Sequence, residues 1–592
     1  MKNFEDYFSD NEIIRHICKI RVKLAKSRSK KHLLHLLTNN EKFNYHKLKK
    51  ESNNEFEKYQ ETLLNELSKI LPARKRWIKL GEISRRKTNS KNQFLTSNDK
   101  NFYSILKTIK KYKKQGSTVE WLLNLQKFID EIRTTALSNA YAVSTPIILP
   151  QLKDPGKKKD INECRPICLF GLKDRIILSA TNKFLTQLFD NQFHDSSYAF
   201  RAKKNKEGKI LSHHDCIKDI LEYRIQHNEA ELYVVECDIK KFYDTVNHKI
   251  VRELFYELKD CLKDDFLNID LNFPIRIFES YLECFAFNIN IPKPDELEYW
   301  DSYKIQNGEF SWVNNILFEH YESISEERIG VPQGGALSGL IANIYLNKAD
   351  KVLQNSPVLY QRFCDDMIII HPNKDECIKA KELYLGVLNE LKLFPHPFKV
   401  DNELINIDED QQFVNYKPFW SGKSKGPFKW SSLSEKGFPW IGFVGYEINH
   451  NGDLRVRKSS FEKEIAKQKK IIKEIEKAIS IEMRKPKGTA TESAINRLVG
   501  MSVGRIGLDN FEEVSADLCW KNGFKELTLN KHTLRQIKGL DRNRSKQYYK
   551  FLKNIKDPEI DPEKPQKREV IHYNKPFSYF YQILERDHKA NA

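Results

Sequence analysis

The stretch YQRFCDDMIII, residues 360–370, sets two aspartates, Asp365 and Asp366, side by side between apolar runs. With Val358 and Leu359 before it, the segment predicts a β-hairpin with the acids at its turn. Like charges in a half-buried turn repel, and burial makes their ionisation costly unless a cation lies between them. A second apolar run ends in the same way. In ELYVVECDIKKFYDTV, residues 231–246, Asp238 closes a strand-like segment that turns into a helix. If the two strands share a sheet, their ends can hold two metal ions about 3.5–4 Å apart. Hard carboxylate oxygens suit Mg²⁺.

Between these segments lies GVPQGGALSGLIANIYLNKADKVL, residues 330–353, a glycine-rich loop running into a helix. Glycines there let backbone approach a ligand closely, and Gln333 offers both donor and acceptor groups. An isolated Asp-Asp pair is usually a turn or a cap. The three segments together, in this order, are far more specific.

Their combination resembles motifs A, B and C of the reverse transcriptases, in the style of group II intron and retron enzymes: DIKKFYDTVNHKIV (238–251), GVPQGGALSGLIANIYL (330–346) and YQRFCDDMII (360–369). Residues 165–201, beginning RPICLF, resemble the preceding fingers motifs, and WIGFVGYEI (440–448) resembles the primer grip. The resemblance implies an α+β right-hand polymerase fold with an antiparallel palm sheet and helical extensions at both ends. It divides the chain into an N-terminal basic helical extension (1–130), fingers (131–235), palm (236–455, with an insertion near 252–327), the start of a thumb (456–485) and a C-terminal helical region (486–592).

The resemblance also implies roles. Asp238 and Asp365, supported by Asp366 and the Ile239 carbonyl, would hold two Mg²⁺ ions and join a primer 3′-hydroxyl to an incoming dNTP. Tyr243 falls where the family places an aromatic gate that leaves no room for a 2′-hydroxyl; the alternative is a packed core ring beside Phe242. Gln333 and Gly334 would line the nucleotide site with Arg165, whose guanidinium grips phosphate. Lys399 falls at a position suited to protonating pyrophosphate. Phe363, Arg175, Gly442 and Tyr446 would meet primer or template, although Arg175, next to Asp174, reads equally as part of an ion pair. Lys157, Lys158 and Lys159 sit at a hairpin tip. Asp244 and His248 read as turn and cap chemistry.

The chain departs from the family pattern twice. Phe363 replaces the usual Tyr of motif C, removing a hydroxyl. Gly335 and Ala336 replace the usual Ser-Pro, which implies a looser loop.

With 100 Lys and Arg against 81 Asp and Glu, the formal net charge of +19 favours a polyanionic partner. The bland alternative is a Lys- and Asn-rich composition inherited from an AT-rich genome. The N-terminal run IIRHICKIRVKLAKSRSKKHLLHLL (13–37) spaces apolar residues as a helix does, with basic residues between them. Ten scattered cysteines include no Cys-x-x-Cys pair and read as reduced thiols. The start MKNFEDYFSD lacks an apolar signal segment, and no run is long enough to span a membrane. A cytoplasmic protein is expected.

No endonuclease, retron thumb or RNase H signature follows the palm motifs. Unmatched extensions around an altered palm resemble the bacterial defence-associated reverse transcriptases. That implies antiphage defence with a non-coding RNA and, in some relatives, oligomers. The alternatives are a mobile-element maturase or an RNA-binding scaffold that has lost catalysis. The presence of all three acids argues against the last.

Overall fold

The computed structural model describes residues 2–36, 55–80, 97–154, 160–206, 208–262, 269–312, 314–399, 417–435, 437–480, 494, 498, 526–554 and 585. The chain divides into two compact units. One comprises Met1–Ile17, Lys50–Ala73 and Tyr112–Pro439; the other comprises Cys18–Lys49, Arg74–Lys111 and Trp440–Ala592.

The first unit is built around a five-stranded sheet. Its strands are β3 (Leu232–Cys237), β5 (Leu359–Phe363), β6 (Asp366–His371), β7 (Phe398–Lys399) and β8 (Ser424–Trp430), in the order β5-β6-β3-β8-β7. The apolar runs of β3 and β6 are buried on both faces, which is why they show little polar alternation. The pairs β5–β6, β6–β3 and β3–β8 are antiparallel, but β7 joins β8 in parallel. The sheet is therefore mixed at one edge, where an antiparallel sheet was expected. β8 pairs with β3 through a register shift between Val234 and Glu236. Gly426 sits there at φ +100°, and a Cβ on it would meet the Val234 carbonyl at 2.2 Å, so only glycine fits.

Helices cover this sheet and continue around it. They are α1 (Glu55–Ile70), α2 (Glu120–Ala136), α3 (Leu172–Phe189), α4 (His213–Gln226), α5 (His248–Asp260), α6 (Asn272–Glu283), α7 (Ser338–Leu353) and α8 (Lys374–Glu390). The fully buried apolar face of α7 supplies Ile341, Tyr345 and Ala349 to the core. The N-terminal Phe4 and Tyr7 rings pack edge-on against Phe184 of α3. The basic stretch near the N-terminus is helical, over Asp10–Leu36.

A second sheet has the order β1-β2-β4. β1 (Ile147–Leu152) and β2 (Asn162–Leu169) form the expected antiparallel pair. β4, only Gly308–Glu309, comes from the segment between motifs A and B and adds to β2 in parallel, with Glu163 opposite Glu309. A two-residue strand carries no alternation, so this addition was not readable from sequence.

In the second unit, β9 (Trp440–Phe443), β10 (Tyr446–Asn449) and β11 (Leu454–Val456) form an antiparallel meander. WIGFVGYEI, expected as one strand, is broken by a tight turn in which Val444 and Gly445 both have positive φ. The Arg455 guanidinium lies 3.6 Å over the Trp440 ring and donates to Glu447 at 2.7 Å. The charged helix α9 (Lys458–Ser480) packs against α10 (Lys531–Asn554) through Ile471, Ile472, Ile475 and Phe551.

All cysteines among the described residues are free thiols, as expected. No helix among the described residues is long and apolar enough to cross a membrane.

Candidate active site at the end of the five-stranded sheet

The register of the sheet brings the acids together. β3 and β6 pair as far as Cys237 opposite Met367, so Asp238 and Asp366 leave the ladder as direct neighbours. β5 and β6 close through a two-residue turn, Cys364–Asp365, with Phe363 opposite Asp366 and Cys364 at φ +63°. Asp365 is half-buried and Asp366 exposed. Burial raises the Asp365 carboxyl above its ordinary range; the charge of Asp238 raises it further, and Lys423 opposes both.

Asp238 is fixed through its backbone. Its N–H donates to Ser424 Oγ at 3.1 Å, and its carbonyl accepts from the His396 N–H at 2.9 Å. Ile239 is buried and bridges Pro395. Asp238 Oδ2 lies 3.1 Å from Lys423 Nζ, which is also 3.1 Å from His396 Nε2. Among the described residues, no three His, Cys, Asp or Glu side chains converge as a ready-made metal cage. Mg²⁺ usually takes one or two carboxylates plus waters and substrate phosphates. The hard oxygen donors of Asp238 and the Asp365–Asp366 turn fit that requirement.

Motif A is tied to both other motifs. The Tyr243 hydroxyl lies 3.1 Å from Cys364 Sγ, which connects it to the acidic turn. Gln333 Nε2 donates to the buried Asp244 Oδ1 at 2.6 Å. Asp244 thus orients the motif B glutamine, a function beyond the turn chemistry expected of it. The cap of α5 is Asn247, whose side chain accepts from the N–H groups of Lys249 and Ile250. His248 is instead buried, with Nε2 2.8 Å from the Gly330 carbonyl oxygen.

Gly334 adopts φ +87°, a conformation that favours glycine. The Gly335 position is closely packed: a Cβ there would lie 1.8 Å from the Tyr281 hydroxyl, which pairs with Ser338 Oγ at 2.8 Å. Ser338 in turn donates to the Pro332 carbonyl at 2.5 Å. The Gly-Ala departure therefore buttresses the loop, contrary to the expected loosening.

Arg165 stands exposed on β2, two residues from Glu163 on the same strand face. Lys153 and Lys241 both reach the Glu163 carboxylate. The field of Arg165, Lys241 and Lys153 extends to Asp244, so this basic group belongs with motifs A and B. Phe363 meets the His213 ring edge-on at 6.1 Å, and His213 and His214 lie against each other at 3.9 Å.

Other expected residues have other partners or belong to the second unit. Arg175 donates to the Tyr59 hydroxyl at 3.2 Å, while Asp174 accepts from Tyr141 at 2.7 Å; the expected Asp174–Arg175 ion pair is not formed. Lys399 packs its stem beside Gly422, and the lysine that reaches Asp238 is Lys423. Gly442 and Tyr446 belong to the second unit. Lys157, Lys158 and Lys159 fall outside the described residues.

Sequence reasoning missed Lys423, Lys153, Lys241 and the buried pair beneath the turn. Arg362 donates to Asp350 Oδ1 at 2.8 Å and Oδ2 at 2.5 Å, and its Nη1 donates to the Cys364 carbonyl at 2.8 Å. Both side chains are wholly buried. An arginine within the apolar strand β5 was the available signal, since a buried charge requires a partner.

The chain is similar to known proteins over part of its length. Residues 156–276 and 282–443 match the family described as reverse transcriptase (RNA-dependent DNA polymerase). The chain is 23% identical over 235 residues to Protein YkfC of Escherichia coli, a match covering 38% of this chain and 49% of that protein. It is 24% identical over 242 residues to the group II intron-encoded protein LtrA of Lactococcus lactis, covering 41% and 30% respectively. The chain thus spans half or less of the length of these curated relatives. Among solved structures it is similar to telomerase from Candida albicans in complex with a TWJ fragment of telomeric RNA, at 14% identity and a TM-score of 0.29 over 84% of this chain and 80% of that one. Apo telomerase from Candida tropicalis matches at 14% identity and a TM-score of 0.31, over 84% and 78%. The segment between residues 156 and 443 is thus similar to the reverse transcriptase family, over just under half of the chain.

Proposed function

We propose that this protein is an RNA-directed DNA polymerase that adds dNTPs to a primer 3′-hydroxyl. The observation that carries the reading is the β3–β6 register, which sets Asp238 beside the Asp365–Asp366 turn within the segment similar to reverse transcriptases.

Asp238 and Asp365, with the Ile239 carbonyl and with Asp366 in support, would hold two Mg²⁺ ions, which would supply positive charge for activating the primer hydroxyl and for the leaving pyrophosphate. The protein positions the rest. Tyr243, held against Cys364, closes the space beneath the sugar and selects deoxynucleotides. Gln333, oriented by Asp244, supports the nucleotide beside Gly334. Arg165 and Lys153 take the triphosphate, and Lys399 supplies a proton to pyrophosphate. Phe363 packs under the primer end, and Arg175, Gly442 and Tyr446 contact primer or template. RNA is the template partner, and the +19 charge supports a polyanionic ligand.

Extension of a labelled primer on an RNA template with dNTPs and Mg²⁺ tests this reading. Wild type is expected to incorporate label, and Asp238→Ala and Asp365→Ala to lose it. A folded wild type that incorporates none with any supplied RNA or DNA template overturns the reading in favour of an RNA-binding scaffold.

The biological setting we propose is antiphage defence with a dedicated non-coding RNA, in the cytoplasm and within an assembly of like or unlike subunits. It rests on the altered motifs and unmatched extensions. A mobile-element role is the second reading, favoured by the likeness to an intron-encoded protein. Sequencing the RNA that co-purifies separates them: a short dedicated RNA supports defence, and an intron supports the second reading.

A further inference from the structure

Lys241 is an outlier. It lies three residues after Asp238, in the left-handed region at φ +49° and ψ +41°, where a residue with a Cβ is strained and glycine is not. Its side chain leaves the five-stranded sheet and reaches the other one. Lys241 Nζ lies 2.5 Å from Glu163 Oε1 on β2 and donates to Ser311 Oγ at 2.8 Å. The same Glu163 oxygen accepts from Lys153 Nζ at 2.5 Å and from the Ser311 hydroxyl. One carboxylate oxygen thus serves two ammonium groups and a hydroxyl.

Several features make this cluster more than a structural tie. Two lysines share one glutamate, so the group keeps a net positive charge, and exposed Arg165 on the same face of β2 adds to it. All three side chains are partly open to solvent, with 20% of Lys241, 26% of Lys153 and 34% of Glu163 exposed. Solvent reaches all three groups, so a phosphate can compete with the carboxylate for the two lysines. The donor set of two ammoniums, a guanidinium and a hydroxyl is the chemistry that recognises phosphate. The cluster joins β2 to motif A, the segment that carries Asp238.

We propose that Lys241 is a triphosphate-binding residue and that Glu163 is its exchangeable counter-ion. The carboxylate holds Lys153 and Lys241 together and gives up its place between them to a phosphate of the incoming nucleotide. The strained lysine thereby provides a second cation opposite the β1–β2 hairpin, and Glu163 sets the phosphate affinity by competing for both lysines. This inference rests on the polymerase reading for the identity of the nucleotide, but the phosphate site stands on its own contacts.

The test uses the full-length protein, with Lys241→Gly, Lys241→Arg and Glu163→Gln. Binding of inorganic tripolyphosphate is measured by calorimetry, and primer extension at varied dNTP gives KM and kcat. Lys241→Gly relieves the backbone strain and removes the charge, so a merely structural lysine predicts unchanged binding. The proposal predicts that tripolyphosphate Kd and dNTP KM rise about tenfold, with kcat changed less than about twofold. Lys241→Arg is expected to restore most of the affinity, and Glu163→Gln to tighten tripolyphosphate binding. Unchanged Kd in Lys241→Gly, or weaker binding in Glu163→Gln, overturns the proposal. If tripolyphosphate binding responds as predicted but wild type extends no primer, the phosphate site stands and the polymerase reading falls. If wild type extends primers and the Lys241→Gly KM is unchanged, the phosphate site alone falls.

Discussion

Gln333 donates from Nε2 to Asp244 Oδ1 at 2.6 Å, joining the glycine loop to the segment that carries Asp238. Burial pushes the Asp244 carboxyl up to about 6 from an ordinary 3.8, although the Gln333 bond and nearby cations pull it down. The folded protein therefore binds this proton more tightly than the unfolded chain. The stability it contributes is full below pH 3.8 and is lost as pH rises through about 6. Asp244→Asn keeps an acceptor and cannot ionise. Urea unfolding between about pH 4 and 7 should show wild type losing up to about 3 kcal/mol that the variant retains. Parallel pH profiles for the two proteins would count against a buried, proton-binding Asp244.

Asp365, raised by burial and by Asp238, gives a second pH signature. A proton and a divalent cation compete for the same carboxylate oxygens. Primer extension is expected to fall on the acid side, and the acid limb should move to lower pH as Mg²⁺ is increased. Chelation with EDTA should abolish incorporation. An acid limb that stays fixed as Mg²⁺ varies would separate the carboxyl from the metal.

Lys423 already supplies a positive charge to Asp238, at 3.1 Å. It is more than half exposed, so Lys423→Ala should alter stability by less than about 1 kcal/mol. Removing this competitor is expected to lower the Mg²⁺ concentration for half-maximal activity by roughly threefold. Metal titration of the two proteins at one pH measures this directly. A rise in the Mg²⁺ requirement would show that Lys423 assists the metal instead.

The Arg362–Asp350 pair lies wholly buried beneath the Cys364–Asp365 turn. Arg362→Ala leaves Asp350 charged and unpaired, and should cost about 3–5 kcal/mol in urea unfolding. Replacing both residues with apolar ones of similar volume should recover much of that loss, while the turn loses its Cys364 carbonyl anchor. A largely restabilised double variant with reduced primer extension is the expected result.

The acidic hairpin was legible because two adjacent charges interrupt apolar runs, which a strand interior does not tolerate. Its partnership with Asp238 was not written in either strand; the order of three motifs implied it, and the β3–β6 register supplied the geometry. Helix α7 follows the glycine loop, as its sequence implied. Asn247 was readable as a cap, since asparagine directly before a helix commonly accepts from its first N–H groups. It was passed over for its neighbours Asp244 and His248. The contacts of Lys153, Lys241 and Lys423 had no local signal. Each meets a partner placed by strands distant in sequence, and an exposed lysine looks the same whether or not such a partner exists. β4 was invisible for its length alone.

That short strand has a mechanical consequence. A free hairpin of two strands swings on its own two stems. Here Gly308–Glu309 clasps the outer edge of β2, so the hairpin is moored at a third point, by chain that leads directly into motif B. Any displacement of β1 and β2 must drag this mooring with it. The glycine loop is tied to the same hairpin a second way, through the bridge between Ile167 of β2 and Gln333.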